Sequence, residues 1–302
     1  MNLNDVLAHW QSMAPGLTDM ILSALRLATP LVFAALGGLL SERSGVINIA
    51  LEGKMLIGAF MGAATAFYFS SPWAGLIGAG VSGAIFGGLY GFMTITCQAN
   101  QIIAGTAINM LAYGLTPFLA KLFFDVTGSS PPLPQDSRFH LAPMFMALAC
   151  AGAVAVFLRL TRGGLWLTMS GEHPEALEAA GISVRRVRMS AVIAGGILAA
   201  IGGSTLSLYL ASGYSRNMTA GRGFMALAAL ILGKWRPIYA LSACLFLGAA
   251  DSLQIRIQGV TIGEGVSIPA PFVQMLPYIA TLILVAGFVG KSRAPTALGQ
   301  PF

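Results

Sequence analysis

The sequence predicts an all-α polytopic membrane protein, and three observations carry that expectation. Of the 302 residues, 56% are hydrophobic and only 9% are charged, whereas a soluble domain carries about 25% charge. The mean hydropathy is +0.77. Apolar stretches of about 20 residues, the length a helix needs to cross a bilayer core of about 30 Å, recur along the chain. A chain so poor in charge cannot coat itself with a hydrated surface, which excludes disorder, a disulfide-stapled secreted fold and a nucleic-acid binder. The net charge of +6 therefore reads as topology rather than as a footprint for DNA.

Taken in order, the candidate spans are Met20 to Leu40, Val46 to Phe69, Trp73 to Thr96, Ile102 to Phe124, Leu141 to Leu160, Met189 to Ala211, Gly223 to Gly233, Pro237 to Ile255 and Phe272 to Gly290. That makes nine segments, the seventh of them short. Before Met20 the chain carries Asp5 and Asp19 but no Lys or Arg, so the basic region of a signal peptide is missing. An interfacial helix with Trp10 at headgroup level is expected there. Cys97, Cys150 and Cys244 lie far apart in apolar stretches, with no metal-ligand spacing.

Lys and Arg collect on the cytoplasmic side of a membrane protein. With the loop Thr161 to Arg188 inside, that face gathers Arg43, Arg159, Arg162, Arg185, Arg186, Arg188, Lys234, Arg236, Lys291 and Arg293, ten of the seventeen basic residues. The outer ends hold Lys121, Arg138, Arg216, Arg222 and Arg256, and Arg26 and Lys54 fall within spans. The N-terminus is thus expected outside and the C-terminus inside.

Two stretches resemble one another. Gly53, Lys54 and Met55 begin a small-residue run that ends at Pro72, before a segment with Leu76, Gly83 and Ala84; Gly221, Arg222 and Met225 begin a shorter run that ends at Pro237, before Leu241, Gly248 and Ala249. A first repeat at about 20–124 and a second at about 189–290, joined by a connector span at 141–160 and a cytoplasmic loop at 161–188, would form a single transmembrane domain over 1–302. One odd connector inverts the second repeat against the first, the plan of many transporters, whose pathways are lined by short or broken helices at matching places. Gly223 to Gly233 is such a helix: its 11 residues reach about 16 Å. Its counterpart is Val46 to Phe69, interrupted by Asn48, Glu52 and Lys54. Asn48 and Glu52, four apart, would share a helix face, while Lys54 would snorkel or pair with another element.

An ion at the membrane centre costs roughly 2.5 to 3.5 kcal/mol on insertion scales. Polar residues in apolar spans are accordingly pathway candidates: Asn48, Glu52, Thr106, Asn109, Tyr113, Ser204, Ser207, Tyr209 and Asp251. The plainer alternatives are a headgroup position for Glu52 and interhelical hydrogen bonds of about 0.6 kcal/mol each for the others. Glycines four apart, such as Gly58 with Gly62 and Gly83 with Gly87, read as close helix packing.

Within the long inner loop, Pro174 to Ala180 has a helix signature, with Pro at the first position, Glu175 and Glu178 near the start and Gly181 as the stop. A short exposed helix on a membrane-bound protein is a natural docking knob. The chain offers no engine of its own. Gly53-Lys54 and Gly233-Lys234 are followed by Met55 and Trp235, so neither is a phosphate-binding loop. His9, His140 and His173 are isolated, and no zinc hydrolase motif occurs. An enzyme is not expected.

Ser41-Glu-Arg-Ser-Gly-Val-Ile-Asn-Ile-Ala-Leu-Glu-Gly-Lys-Met-Leu-Ile-Gly58 resembles the signature of permease subunits of ABC importers in the branched-chain amino acid and simple sugar group, in particular the nucleoside-type branch that works with a basic membrane lipoprotein. Gly171-Glu-His-Pro-Glu-Ala-Leu-Glu-Ala-Ala-Gly-Ile182 is similar to that family's coupling region, and Ala294 to Phe302 to its C-terminal ending. The resemblance implies a type II importer in the bacterial inner membrane: two permease subunits, usually different, two cytoplasmic ATPase domains that use ATP and Mg, and an extracytoplasmic lipoprotein that delivers a nucleoside. It implies no cofactor on this chain, and places Glu172, His173, Pro174, Glu175, Ala179, Gly181 and Ile182 against the ATPase. Lys54 departs from the family, which often has an uncharged residue there. The alternatives are the same machinery importing a simple sugar or another small polar solute, and an autonomous secondary transporter coupled through Glu52 or Asp251.

Overall fold

A computed structural model describes residues 3–258, 261–262, 266–267, 270–287 and 293–300, with side chains from Thr18 onward except around 259–271 and 284–292. Lys291 and the end of the ninth expected span lie outside the described residues. Among the described residues the fold is helical, apart from a two-stranded antiparallel pairing of Thr261–Ile262 with Val266–Ser267 and a single bridge between Ser129 and Ser215.

The helices follow the apolar stretches. In chain order they are α1 Leu3–Arg43, α2 Leu51–Phe69, α3 Pro72–Gly91, α4 Gln101–Phe124, α5 Ala142–Leu160, α6 Arg162–Glu172, α7 Pro174–Ala179, α8 Val184–Thr205, α9 Arg222–Leu232, α10 Pro237–Ile257, α11 Ala270–Gln274 and α12 Leu276–Gly287. Single π-helical turns, Phe92–Thr96 and Leu206–Leu210, extend α3 and α8. Among the described residues, six helices rather than nine are long and apolar enough to cross a membrane: Thr18–Arg43, Pro72–Thr96, Gln101–Phe124, Gln135–Leu160, Val184–Leu210 and Pro237–Ile257. Three expected spans fall short for separate reasons. The helix α2 starts only at Leu51 and carries Glu52 and Lys54 in its first turn, α9 has 11 residues, and α12 has 12. The stretch before Met20, expected as an interfacial helix, is continuous with the first span in α1.

Helix α8 is the axis of the bundle and packs against α1, α2 and α3. Small residues set these distances. A Cβ on Gly195 would strike the carbonyl of Gly37 on α1, one on Gly196 the carbonyl of Gly83 on α3, and one on Gly203 the carbonyl of Met55 on α2. Lipid gives helices no hydrophobic reason to associate, so such close backbone approach is what holds them. Gly58 and Gly62 meet Ala200 and Ser204 in the same way, and the expected packing role of the four-residue spacing is met.

The two ends of the bundle are distinct. At one end the α1 terminus meets α6 and the α9–α10 turn: Arg43 Nη1 donates to the Trp235 carbonyl at 3.3 Å, and Ser170 Oγ to the Ser44 carbonyl at 3.0 Å. At the other end the α4–α5 connection binds the segment after α8, with Leu133 N–H donating to the Ser212 carbonyl at 2.7 Å and Ser130 N–H to the Tyr214 carbonyl at 2.9 Å. Between Ser212 and Trp235 the chain therefore passes from one end to the other, first as irregular backbone through 212–221 and then as α9. Irregular backbone at that depth is tolerated only where protein surrounds it. Tyr214 and Thr219 are both buried.

Candidate functional site

The geometry centres on the meeting of α2 and α9 at their N-termini. Glu52, fully buried, accepts the Gly221 N–H on Oε1 at 2.9 Å and the Gly223 N–H on Oε2 at 2.7 Å. A helix start leaves its first N–H groups without intrahelical partners and carries about half a positive charge. One carboxylate thus serves two helix starts, its own and that of α9. Gly223 is needed here because its missing side chain leaves the room that the Glu52 backbone occupies, with the Glu52 Cα 2.5 Å from an ideal Cβ position. From α4, the Tyr113 hydroxyl donates to Glu52 Oε1 at 3.4 Å.

Asn109 on α4 fixes the approach to α2. Its Oδ1 accepts the Gly53 N–H at 2.8 Å and its Nδ2 donates to the Ile49 carbonyl at 3.0 Å. The expected shared helix face of Asn48 and Glu52 does not exist, because residues 46–50 precede the helix and are not helical. Asn48 turns instead to Lys54, whose Nζ donates to Asn48 Oδ1 at 2.9 Å and lies 4.4 Å from the centre of the Tyr90 ring. Lys54 is fully buried and does not snorkel. Its charge is met by an amide and an aromatic face, which attracts cations.

The remaining pathway candidates separate. Asp251 on α10, buried, lies within electrostatic reach of Arg222 at the start of α9. Ser204 bonds within its own helix, to the Ile201 carbonyl at 2.8 Å, and Thr106 likewise to Ile103. Ser207 joins α8 to α2 through the Ala59 carbonyl at 2.8 Å. Tyr209 lies toward the opposite end, its ring 5.0 Å from the Arg26 guanidinium, in a crevice of about 310 Å³ that Gln135, Arg138 and His140 also line. The structure thus brings together Glu52, Asn109 and Tyr113, sets Asn48 and Asp251 beside them, and leaves Ser204 and Tyr209 apart.

The second region is the corner formed by α6, α7 and the C-terminal tail. The expected loop at 161–188 is mostly helix. Thr161 caps α6 by accepting the Gly164 N–H at 3.0 Å, and α8 begins at Val184, so Arg185, Arg186 and Arg188 belong to it. Pro174 opens α7 after His173, and Leu177 anchors it while Glu175, Ala179 and His173 stay exposed. Gly181, at φ +79°, closes it as expected: its N–H bonds the Glu178 carbonyl at 2.8 Å and the Ile182 N–H bonds that of Leu177 at 3.2 Å. This is the paired reverse bonding of a Schellman motif, which favours glycine at that position.

The tail is stitched beneath this corner. Ala297 N–H donates to the Gly171 carbonyl at 2.8 Å, Gly299 N–H to the Gly45 carbonyl at 3.0 Å, and the Thr296 hydroxyl to the Glu172 carbonyl. Arg188 donates to the Gln300 carbonyl at 2.8 Å and to the Ser170 carbonyl at 3.1 Å. A cleft of about 510 Å³ remains between α7 and the tail, lined by Glu172, His173, Glu175 and Thr296. Sequence reasoning missed this use of Thr296 and Gln300, and also the buried Glu42, which accepts the Trp235 indole N–H at 2.6 Å. The signal for Glu42 was present, in a lone acid at the end of an apolar span.

Similarity to known sequences decides the family. Residues 20–286 match the family described as branched-chain amino acid transport system / permease component. The chain belongs to this permease family. It is 36% identical over 95% of its length, and 97% of the other, to the guanosine ABC transporter permease protein NupQ of Bacillus subtilis. It is 35% identical to the nucleoside ABC transporter permease protein NupC of Lactococcus lactis, over 90% of this chain and 92% of the other. At 26% identity, over 89% of this chain and 76% of the other, it is similar to the glucose ABC transporter permease protein TsgB13 of Haloferax volcanii. The chain is therefore a multi-pass ABC permease, a transport component, as the sequence motifs implied.

Proposed function

We propose that this permease forms half of the translocation pathway of an ATP-driven nucleoside importer. The carrying observation is the 36% identity, across nearly the whole of both chains, to a permease named for guanosine. Its second permease subunit is a different chain. That reading is supported by a second guanosine permease relative, NupP, in Bacillus subtilis and a second nucleoside permease relative, NupB, in Lactococcus lactis. ATP and Mg act on a separate cytoplasmic ATPase, an extracytoplasmic lipoprotein delivers the substrate, and this chain needs no cofactor and binds no nucleic acid.

In this reading the chain lies in the bacterial inner membrane with its N-terminus outside and its C-terminus cytoplasmic, as one domain of nine crossings built from two inverted repeats. The meeting of α2 and α9 at matching N-termini supports the repeat plan. Glu172, His173, Pro174, Glu175, Ala179, Gly181 and Ile182 transmit ATPase closure, a role supported by the exposure of α7 and its packing against α6 and α8. Asn48, Glu52, Asn109, Tyr113, Ser204, Tyr209 and Asp251 are the pathway groups, and the junction around Glu52 is where α9 can move against α2.

The test is uptake of labelled guanosine by the complete transporter in proteoliposomes. ATP-dependent uptake, competed by other nucleosides, is expected. Uptake of glucose in its place would move the chain to the sugar branch. Uptake by this chain alone, driven by a proton or sodium gradient, would make it an autonomous secondary transporter.

A further inference from the structure

Beside the last turn of α1, between α5, α6 and α8, lies a groove of about 480 Å³ lined by Leu40, Val154, Phe157, Trp166, Val187 and Ala194 among others. Its one hydroxyl, Ser190, already donates to the Val187 carbonyl at 2.9 Å, so the lining presents apolar surface. Phe157 and Trp166 remain exposed at 37% and 40%. A void of this size is in the range that encloses a small ligand.

The end of the groove is cationic. Arg162 precedes Trp166 by four residues on α6, and Arg186 precedes Ser190 by four on α8, so each shares the helix face that lines the groove. Both arginines are exposed, as is Arg159 in the last turn of α5. Between Ala151 and Gly171, and between Val184 and Ala194, the sequence has no Asp or Glu. Of the acids at this end, Glu42 is bonded to Trp235 and Glu172 to Thr296, while Glu175 and Glu178 lie on α7, where Glu175 lines the cleft toward the tail. Basic pockets between membrane helices attract anionic headgroups, and Trp favours the same depth.

We propose that this groove is a binding site for one anionic phospholipid, with an acyl chain against Phe157, Val187 and Ala194 and the phosphate between Arg162 and Arg186. The charge at the mouth and the apolar lining below it match the two halves of that molecule. The site is independent of the transported solute.

Native mass spectrometry of the purified permease, titrated with phosphatidylglycerol or phosphatidylcholine of identical acyl chains, tests it. Phosphatidylglycerol should be retained roughly tenfold more tightly, as two cations near the surface allow. Arg162→Gln with Arg186→Gln should erase that preference. Ala153→Phe, at an exposed lining position that tolerates bulk, should reduce retention of both lipids with no change in charge; it keeps the test decisive if the arginine variant does not fold. Equal retention of the two lipids by the unaltered chain, or retention insensitive to the groove filling, overturns the proposal. So does loss of pairing with the second permease in Ala153→Phe while lipid stays bound, which would make the groove a subunit interface.

Discussion

Glu52 Oε2 accepts the backbone N–H of Gly223 at 2.7 Å across 171 residues of sequence. With the neighbouring bond to Gly221, this ties α2, in the first half of the chain, to the half-length α9 in the second.

Replacing Glu52 by Gln removes the charge and turns an amide N–H toward a backbone donor. Hydrogen bonds to charged groups contribute about 1.5 to 3 kcal/mol, so a destabilisation of that order is expected, together with reduced uptake. Thermal unfolding in detergent checks the first and proteoliposome transport the second. An unchanged melting temperature would contradict the capping role, and unchanged transport the pathway role.

Ala179→Glu alters an exposed site on α7 without touching the buried Leu177. Expression and thermal stability should stay within about 0.5 kcal/mol of the parent, as for ordinary surface changes, while uptake per ATP hydrolysed falls severalfold. Normal coupling in the assembled transporter would refute the docking role of α7.

Arg188→Met deletes the guanidinium bonds to the Gln300 carbonyl of the tail and the Ser170 carbonyl of α6. A loss of about 1.5 to 3 kcal/mol is expected locally, visible as faster amide exchange at 168–172 and 295–300. Arg188→Lys, which can keep one bond, should fall between. Exchange confined to the tail alone would show that the corner does not depend on it.

Gly203→Ala places a methyl group on the Met55 carbonyl, between two helix backbones. Overpacking costs about 1 to 3 kcal/mol, and a rigid backbone neighbour puts this site at the upper end. Gly88→Ala, a helical position with open space around it, should be neutral or stabilising by up to about 1 kcal/mol. Parallel melting curves of the two variants test whether backbone approach, rather than glycine content, holds α8 in place.

Helices were legible where hydropathy alone decides them, as for α4, α5 and α10, and where end signals are local, as for Pro174 and Gly181. Which spans are full-length helices was not. The segment 212–221 has no periodicity to mark it as membrane-embedded, because its satisfaction comes from tertiary partners. Glu52 and Asn109 were found as polar residues in apolar runs, but their partners are backbone groups, which carry no sequence mark. Asn48 was misplaced because a four-residue spacing means a shared face only inside a helix, and α2 starts three residues later. The Arg188 clamp escaped for the same reason: its acceptors are carbonyls of Ser170 and Gln300, which any residue could supply.

The half-length α9 also bears on how the chain is made. Eleven residues cover only about half of the hydrocarbon thickness, so this segment has little drive to leave an insertion machinery by itself. Its cap sits on Glu52, and its far end rests on Glu42 and Arg43 through Trp235. The groups that hold both ends of α9 thus all come from α1 and α2, and a stable place for α9 depends on those earlier helices.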